Sequence, residues 1–281
     1  MSFSSANLRF PETNLTWQVL DHANTNGYAV GAYNCYNTDG IMAVIRAAER
    51  QRSAAIIQLF PWTMHFQGPE FIRYVVNAAH TATVPVAVHL DHCIKPEDVE
   101  LALTLPFDSI MVDASVADEE SNIRFCKSIV QRAEALNITI EAEMGRIEGG
   151  EDGLPAVDME GVMTRPGDAE SFVRQSGVHF LAPSFGNIHG GYPPEGAEKA
   201  WDLPRLSAIG GLVSSKTPLV LHGTHPVSDD LFRKTIACGY TRFIADNAAT
   251  LELTVLQEEG VKVYTRSIER MMEVMGSAGR Y

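Results

Sequence analysis

The chain has 281 residues, of which 45% are apolar and 20% charged, so it can bury a large core and is not a disordered chain. Its 35 acidic and 22 basic residues give a net charge of −13, and no cluster of Lys or Arg could neutralise phosphates, which argues against nucleic acid as a partner. The four cysteines form no C-x-x-C pair, and neither a secretory leader nor an apolar run of about 20 residues is visible, so we expect a cytoplasmic protein with no membrane contact.

Eight short apolar runs recur along the chain, and each has the length and the Val, Ile, Ala and Leu content of a strand buried on both faces. They are YAVGAY (28–33), AAIIQLF (54–60), VPVAVHL (84–90), DSIMVD (108–113), ITIEAEM (138–144), VHFLAP (178–183), PLVLHG (218–223) and TRFIAD (241–246). Helices are predicted between them, at 39–52, from Pro96, and at 119–136, 169–176, 203–213 and 229–237. A helical tail is predicted over about 249–281.

Eight strands alternating with helices over about 250 residues are typical of a (β/α)8 barrel, the TIM barrel, in the α/β class. An open, doubly wound sheet is the alternative, but no G-x-G-x-x-G turn follows the first run to support it. No low-complexity linker divides the chain, so we expect a single domain over residues 1–281.

In such a barrel the loops after the strands build the active site, so reactive groups should gather at the carboxyl ends of the strands. The sequence places polar side chains there, namely Asn34, Asp91, His92, Asp113, Glu141, Glu143, His189, His222, Asp246 and Asn247. His89 lies inside its run and is expected to pack or to support the site indirectly.

Three of these residues are histidines, His92, His189 and His222, each followed by a glycine or another small residue. A catalytic zinc ion typically has three protein ligands and an open fourth position. One such histidine alone would more often cap a strand or bond a neighbour, but three at one end of a barrel favour a metal site. We therefore predict one Zn²⁺ per chain at these three residues.

Two carboxylates are candidates for proton transfer. Asp91 directly precedes His92, and adjacent residues at a strand end point in different directions, which favours proton transfer over metal ligation. Glu151 lies in GRIEGGEDGLPAVDMEGVMTRP (145–166), the longest stretch without a regular pattern, which is typical of a mobile lid. A strand-end cap at Asp91 and a solvated connector at 145–166 are the alternatives.

Five motifs in this chain resemble those of the class II, zinc-dependent fructose-bisphosphate and tagatose-bisphosphate aldolases. They are VAVHLDH (86–92), IMVDAS (110–115), IEAEMGRIEGGEDG (140–153), FGNIHGGY (185–192) and VLHG (220–223). The resemblance runs from GAYNCYN (31–37) to the eighth strand, which is nearly the whole chain, and the order of the motifs makes it specific.

The resemblance implies a lyase of carbohydrate metabolism with zinc ligands at His92, His189 and His222. Asp91 would act as acid and base on the hydroxyl next to the bond that breaks, and Glu151 would exchange the proton at the nucleophilic carbon. Zinc would stabilise the enediolate formed on cleavage, so no Schiff-base lysine is needed, and no predicted strand ends in a lysine.

Further expectations come from the resemblance alone. Asp113 and Glu143 correspond to acidic positions near the metal, either as a second metal site or as support for the first. A monovalent cation near the phosphate, and a homodimer or homotetramer, are common in the family.

The departures from the family pattern lie in the phosphate-binding region. After VLHG the family usually continues with Gly-Ser-Gly, whereas Thr224, His225 and Pro226 stand here, and proline has no backbone N–H to donate. A family serine position is Phe60, and a family asparagine position is Ile244. The residues predicted to contact the substrate are Asn34, Gly190, Gly223, Thr224, His225, Asp246 and Asn247.

Three hypotheses follow for the function. The first is a zinc-dependent aldolase that reversibly cleaves a carbon–carbon bond in a ketose or related hydroxy-ketone, phosphorylated or not. The loss of the Gly-Ser-Gly turn further predicts weak recognition of dihydroxyacetone phosphate, and so a substrate that is unphosphorylated or carries another acidic group. The second is a non-catalytic metal-binding or ligand-binding protein on an aldolase-like barrel, since a fold does not fix a function. The third is a zinc-dependent epimerase that uses the same enediolate chemistry.

Overall fold

The computed structural model describes residues 8–149, 163–192, 194–245 and residue 259. The predicted site residues Glu151, Asp246 and Asn247 lie outside these residues, as does the predicted helical tail apart from residue 259. No helix within the described part of the chain is long and apolar enough to cross a membrane.

Eight of the ten strands in the described part of the chain form a closed parallel barrel, which confirms the predicted fold class. The strands are β1 (Val30–Asn34), β2 (Ala55–Leu59), β3 (Val86–Cys93), β4 (Ser109–Val112), β5 (Thr139–Met144), β6 (Glu148–Gly149), β7 (Phe180–Pro183), β8 (Ile188–His189), β9 (Leu219–Leu221) and β10 (Tyr240–Ala245). Their order around the barrel is β1-β10-β9-β7-β5-β4-β3-β2. The short strands β6 and β8 pair with each other, outside the barrel.

Helices alternate with the barrel strands. They are α1 (Leu15–Asn26), α2 (Thr38–Gln51), α3 (Pro61–Gln67), α4 (Pro69–His80), α5 (Pro96–Ala102), α6 (Glu119–Glu134), α7 (Pro166–Ser176), α8 (Ala197–Ala200), α9 (Leu203–Val213) and α10 (Asp229–Ala237). The helices predicted at 203–213 and 229–237 have the predicted bounds, and α5 begins at Pro96 as predicted.

The structure adds helices that the sequence analysis did not assign. The helix α1 precedes the first strand, and α3 and α4 both lie between β2 and β3. Helix α1 buries Thr16, Val19, Leu20 and Ala23, which recur at helical spacing. The segment 145–166 was predicted to lack regular structure, but it contains β6.

Helix α1 closes the amino-terminal end of the barrel. Its Leu20 is fully buried and packs in one cluster with inward-facing residues of the strands, among them Ala87 and Val220. Burying such a leucine contributes about 1.5–3 kcal/mol. Asn14, the N-cap of α1, donates to the backbone oxygens of Asp108 and Asn137 at 2.7 Å each, just before β4 and β5. The carboxyl ends of the strands are therefore left as the place for a site.

Candidate metal centre and active site

The three predicted metal-binding histidines meet at the carboxyl end of the barrel. His92 is in β3, His189 is in β8 and His222 directly follows β9. One ring nitrogen of each lies within 4.8 Å of the others, and all three side chains are buried. The ring centroids are 4.8 Å apart for His92 and His189, and 4.9 Å apart for His92 and His222. Three converging imidazoles are a ligand set that suits zinc.

A bulge in β3 aims two adjacent side chains at the site. The pairing of β3 with β4 shifts register between Leu90 and Cys93, and His92 has a left-handed φ of 43°. Such a conformation costs a non-glycine residue about 1–3 kcal/mol and is concentrated at functional sites. The bulge lets Asp91 and His92 approach the same space, with Asp91 Oδ2 3.9 Å from His92 Nε2.

The ring orientation of His92 is fixed by Asp113. His92 Nδ1 donates to Asp113 Oδ2 at 3.0 Å, and Asp113 Oδ1 accepts from the hydroxyl of Ser115 at 2.7 Å. Since the proton is on Nδ1, the lone pair is on Nε2, which is buried and has no hydrogen-bond partner among the described residues. A nitrogen lone pair buried in this way, with a carboxylate behind the ring, fits a metal ligand.

The carboxylates make the surroundings of His92 attractive to a cation. Burial alone would lower the pKa of His92, but the charge of Asp91 and the hydrogen bond to Asp113 outweigh it and raise this pKa well above 6.5. Burial raises the pKa of Asp113, but the hydrogen bond from His92, the charge of His92 and the hydrogen bonds from Ser115 together outweigh burial and lower this pKa. Burial, together with the charge of Asp113, raises the pKa of Glu143 well above its usual value. A bound metal ion would compete with the proton on His92.

Asp113 and Glu143 form a second potential ligand group with His92. One ligand atom of each of the three lies within 4.8 Å of the others. Glu143 Oε1 accepts from the backbone N–H of Ile147 at 2.8 Å, while its buried Oε2 has no hydrogen-bond partner among the described residues. The two acids therefore lie close to His92, the predicted metal ligand of β3.

Glu141 orients His222, a contact that the sequence analysis did not predict. His222 Nε2 donates to Glu141 Oε1 at 2.9 Å, which places the ring's lone pair on Nδ1. Both side chains are fully buried. Glu141 precedes Glu143 by two residues in β5, so both side chains project from the same face of that strand.

Gly223 and Tyr192 hold His189 and His222 together. Gly223 has φ 69°, and a Cβ there would lie 2.2 Å from the backbone oxygen of Ile188, so only glycine fits. Tyr192 Oη donates to the backbone oxygen of Gly223 at 2.6 Å and accepts from Ile188 N at 3.1 Å. Trp201 Nε1 donates to the same hydroxyl at 2.7 Å.

Asp91 is held by Gln58, a residue that the sequence analysis did not single out. Gln58 Nε2 donates to Asp91 Oδ2 at 2.6 Å and to Asn34 Oδ1 at 2.7 Å. This amide joins β1, β2 and β3 at the carboxyl end of the barrel. Asn34, predicted to contact the substrate, is buried and is thereby tied to Asp91.

His89 is buried inside the barrel, close to two carboxylates of the site. Its Nε2 lies 3.7 Å from Asp91 Oδ1 and 3.6 Å from Glu141 Oε2, and its Nδ1 lies 2.7 Å from Ser109 Oγ. Thr16 of α1 donates to the same Ser109 hydroxyl at 3.0 Å. A buried polar chain thus extends from the helix at the closed end to the two carboxylates at the open end.

Aromatic rings flank the histidines on the side of β1 and β2. The Phe60 ring is nearly parallel to that of His92, with an interplanar angle of 10° and centroids 6.1 Å apart. The Tyr36 ring is parallel to that of Phe60 at 6.2 Å, and Trp62 meets Tyr36 edge-on. Phe60 was identified in the sequence as a departure from a family serine, and the structure places it directly beside a predicted metal ligand.

The remaining predicted substrate contacts differ in exposure. Gly223 is buried and Thr224 half-buried, while Gly190 and His225 are exposed. Gly190 has φ 93°, and nothing lies within 4 Å of the position of a Cβ there.

Comparison with known proteins gives the family of this chain. The family model described as fructose-bisphosphate aldolase class-II matches residues 14–280. A fructose-bisphosphate aldolase of Thermus caldophilus is 39% identical over 222 residues, covering 79% of this chain and 72% of the relative. A sulfofructosephosphate aldolase of Alkalicoccus urumqiensis is 34% identical over 245 residues, covering 87% of this chain and 82% of the relative.

Comparison with solved structures gives the same family. The crystal structure of a Coccidioides immitis protein, provisionally assigned as a fructose-1,6-bisphosphate aldolase, has a TM-score of 0.78 to this chain at 38% identity. The match covers 96% of this chain and 98% of that one. The family model matches nearly the whole length of the chain, and the barrel and the converging histidines agree with that match. The chain therefore belongs to the class II fructose-bisphosphate aldolase family, a family of zinc-using aldehyde-lyases.

Proposed function

We propose that this protein is a zinc-dependent aldolase that reversibly cleaves a carbon–carbon bond in a ketose. The observation that carries the proposal is the convergence of His92, His189 and His222 within 4.8 Å beside a buried, oriented Asp91. A site that only bound a metal would not need that carboxylate to be held in place.

His92, His189 and His222 would hold the zinc ion, with Asp113 and Glu141 orienting two of the rings. When bound, zinc acts as a Lewis acid towards the carbonyl and hydroxyl oxygens of a ketose. The carboxylates of Asp91 and Asp113 place negative charge beside His92, which attracts a divalent cation.

Asp91 is the proposed acid and base on the hydroxyl next to the bond that breaks. Gln58 fixes the position of its carboxylate, and Oδ2 lies 3.9 Å from His92 Nε2. A substrate hydroxyl held beside that nitrogen is therefore within reach of the carboxylate, as proton transfer requires. Glu151 is the proposed residue for proton exchange at the nucleophilic carbon, on the basis of its sequence motif alone.

We also propose that the protein recognises dihydroxyacetone phosphate weakly. Thr224, the exposed His225 and Pro226 replace the family's Gly-Ser-Gly turn, and Pro226 cannot donate a backbone hydrogen bond. Family membership does not fix the substrate, since the relative from Alkalicoccus urumqiensis is named for a sulfonated sugar phosphate. We propose that the substrate group which replaces this phosphate is bound near Gly190, Gly223, Asp246 and Asn247.

The test is turnover by purified, zinc-loaded protein of a panel of phosphorylated and free ketoses, with release of aldehyde or ketone as the readout. The Asp91→Asn variant should keep its zinc and lose at least about 100-fold in kcat, the usual contribution of a general acid or base. His189→Ala should lose the metal, whereas His22→Ala, at an exposed histidine of α1 at the opposite end of the barrel, should behave as wild type.

The outcomes separate the hypotheses. If the zinc-loaded protein releases nothing from any ketose and exchanges no proton on any ketone, the aldolase proposal fails and a binding protein is indicated. Interconversion of epimers without cleavage would indicate an epimerase. Turnover of fructose 1,6-bisphosphate comparable to that of an ordinary family member would refute weak phosphate recognition.

Four further properties of the whole chain are predictions. These are a single domain, one zinc per chain, a monovalent cation near the substrate, and a homodimer or homotetramer. Light scattering coupled to gel filtration, and metal analysis of the purified protein, would test them.

A further inference from the structure

Three aromatic side chains, Tyr36, Phe60 and Trp62, form a continuous surface beside the metal-binding histidines, which we call the aromatic wall. The Phe60 ring lies parallel to His92 on one side and to Tyr36 on the other, at centroid distances of 6.1 and 6.2 Å. Trp62 contacts Tyr36 with centroids 6.0 Å apart and is 40% exposed. The wall therefore extends from the solvent-exposed surface to a metal ligand.

The backbone fixes the position of this wall. Phe60 directly follows β2, whose last residue, Leu59, pairs with Leu90 of β3, so Phe60 lies level with Asp91. Helix α3 starts at the next residue, Pro61, and holds Trp62 in its first turn. On the other side, Gln67 Nε2 donates to the backbone oxygen of Tyr36 at 3.1 Å.

The charge on this side of the site is unsuited to a phosphate group. Neither residues 35–38, which follow β1, nor residues 60–68, which follow β2, include a lysine or an arginine. The basic side chain in these stretches, His65, lies 2.6 Å from Asp98 Oδ1 and so already has a carboxylate partner. A phosphate against the wall would lose water without gaining a counter-charge, whereas the C–H face of an uncharged group would gain apolar contact.

We propose that the aromatic wall is a specificity-determining subsite: it accepts an uncharged part of the substrate with an apolar face, and it disfavours a phosphate at that position. Phe60 is the central residue, since its ring is the one that borders His92. This inference rests on the proposed function, because it requires the substrate to be bound at the histidines.

The test compares acceptor preference in the direction of bond formation. Zinc-loaded wild type, Phe60→Ser and Phe60→Leu would be assayed with glyceraldehyde and with glyceraldehyde 3-phosphate, using one common ketone donor. The ratio of kcat/KM should favour the uncharged aldehyde in the wild type. It should shift by roughly tenfold towards the phosphorylated one in Phe60→Ser, and less in Phe60→Leu, which keeps an apolar side chain. Tyr74→Leu, which removes a different exposed aromatic ring on α4, is the control and should leave the ratio unchanged.

A binding measurement tests the wall without turnover. Benzohydroxamate and acetohydroxamate both chelate zinc, and only the first presents an aromatic ring to the wall. Calorimetry should show the preference for benzohydroxamate falling roughly fivefold or more in Phe60→Ser, with an unchanged zinc content. Ratios in both experiments that stay within twofold of wild type would overturn the inference. An absence of turnover, with the hydroxamate preference behaving as expected, would overturn the aldolase proposal and leave the subsite standing.

Discussion

His179, near the closed end of the barrel, should make the stability of this protein depend on pH. The side chain directly precedes β7, and its Nδ1 accepts a hydrogen bond from the backbone N–H of Ile140 at 2.9 Å. Phe10 and Trp17 meet the ring edge-on. Burial lowers the pKa of His179 from 6.5 to about 4, and protonation of Nδ1 would also remove the hydrogen bond from Ile140.

The sign and size of the effect follow from this shift. Between pH 6.5 and 4 the unfolded chain binds a proton at this position that the folded chain does not. The contribution of neutral His179 to stability is therefore complete above pH 6.5 and is lost as the pH falls towards 4. At about 1.36 kcal/mol per pKa unit, the full difference is about 3 kcal/mol, of which about 2.5 kcal/mol is lost between pH 7.5 and 4.5.

The assay is the free energy of unfolding from urea titrations at pH 7.5 and 4.5. His179→Asn keeps an acceptor for the Ile140 amide but cannot titrate, so its pH-dependent loss should be about 2.5 kcal/mol smaller than that of wild type. Subtracting the loss in His179→Asn from the loss in wild type cancels the contributions of His92, His189 and His222, the proposed metal ligands. His22→Asn, at an exposed histidine of α1, serves as the control and should keep the wild-type dependence. Equal pH dependence in wild type and His179→Asn would refute the reasoning.

Further predictions concern the metal centre. Gly223→Ala should destabilise the protein by more than about 2 kcal/mol, measured by thermal unfolding, since its Cβ would lie 2.2 Å from the oxygen of Ile188 at φ 69°. Gly190→Ala, where the space is open, should cost only the strain of its positive φ, and equal losses would count against the clash. Asp113→Asn should weaken zinc binding about 10–100-fold in a chelator competition, because it removes the carboxylate behind His92; unchanged affinity would exclude that role. Removing the metal should lower the free energy of unfolding by about 2.7 kcal/mol, relative to protein held at a zinc concentration 100 times the dissociation constant. An unchanged melting temperature after metal removal would argue against a site that forms only on folding.

The barrel itself could be predicted from the sequence because its strands are buried on both faces. Runs such as 54–60 and 84–90 are nearly uninterrupted apolar segments, which are hard to mistake when eight recur between helices. Helices α3 and α4 were missed because α3 begins two residues after the end of β2 and only Gly68 separates it from α4, so their patterns merge. The meeting of the three histidines was predictable, since all parallel strands of a barrel present their carboxyl ends at one side.

The contacts that orient the site could not be predicted in this way. The pairing of Glu141 with His222 joins β5 to the residue that follows β9, two strands that β7 separates in the barrel, and the sequence does not reveal rotamers. The bulge at Asp91 and His92 is a local shift in register, and no characteristic residue pattern in the sequence marks it. Gln58 lies within an apolar run, and a buried glutamine there was a signal of a hydrogen-bond partner that could have been used.

The wide separation of the three histidines along the chain also bears on how the protein folds. His92 comes from the first half of the sequence, whereas His189 and His222 come from the second. A nascent chain therefore cannot assemble this site until β9 has emerged and the barrel is nearly complete. An ion bound there would join distant segments of the chain, opposing partial opening of the barrel as a cross-link does. Zinc uptake during refolding should accordingly report the closure of the barrel and not the formation of its individual strands.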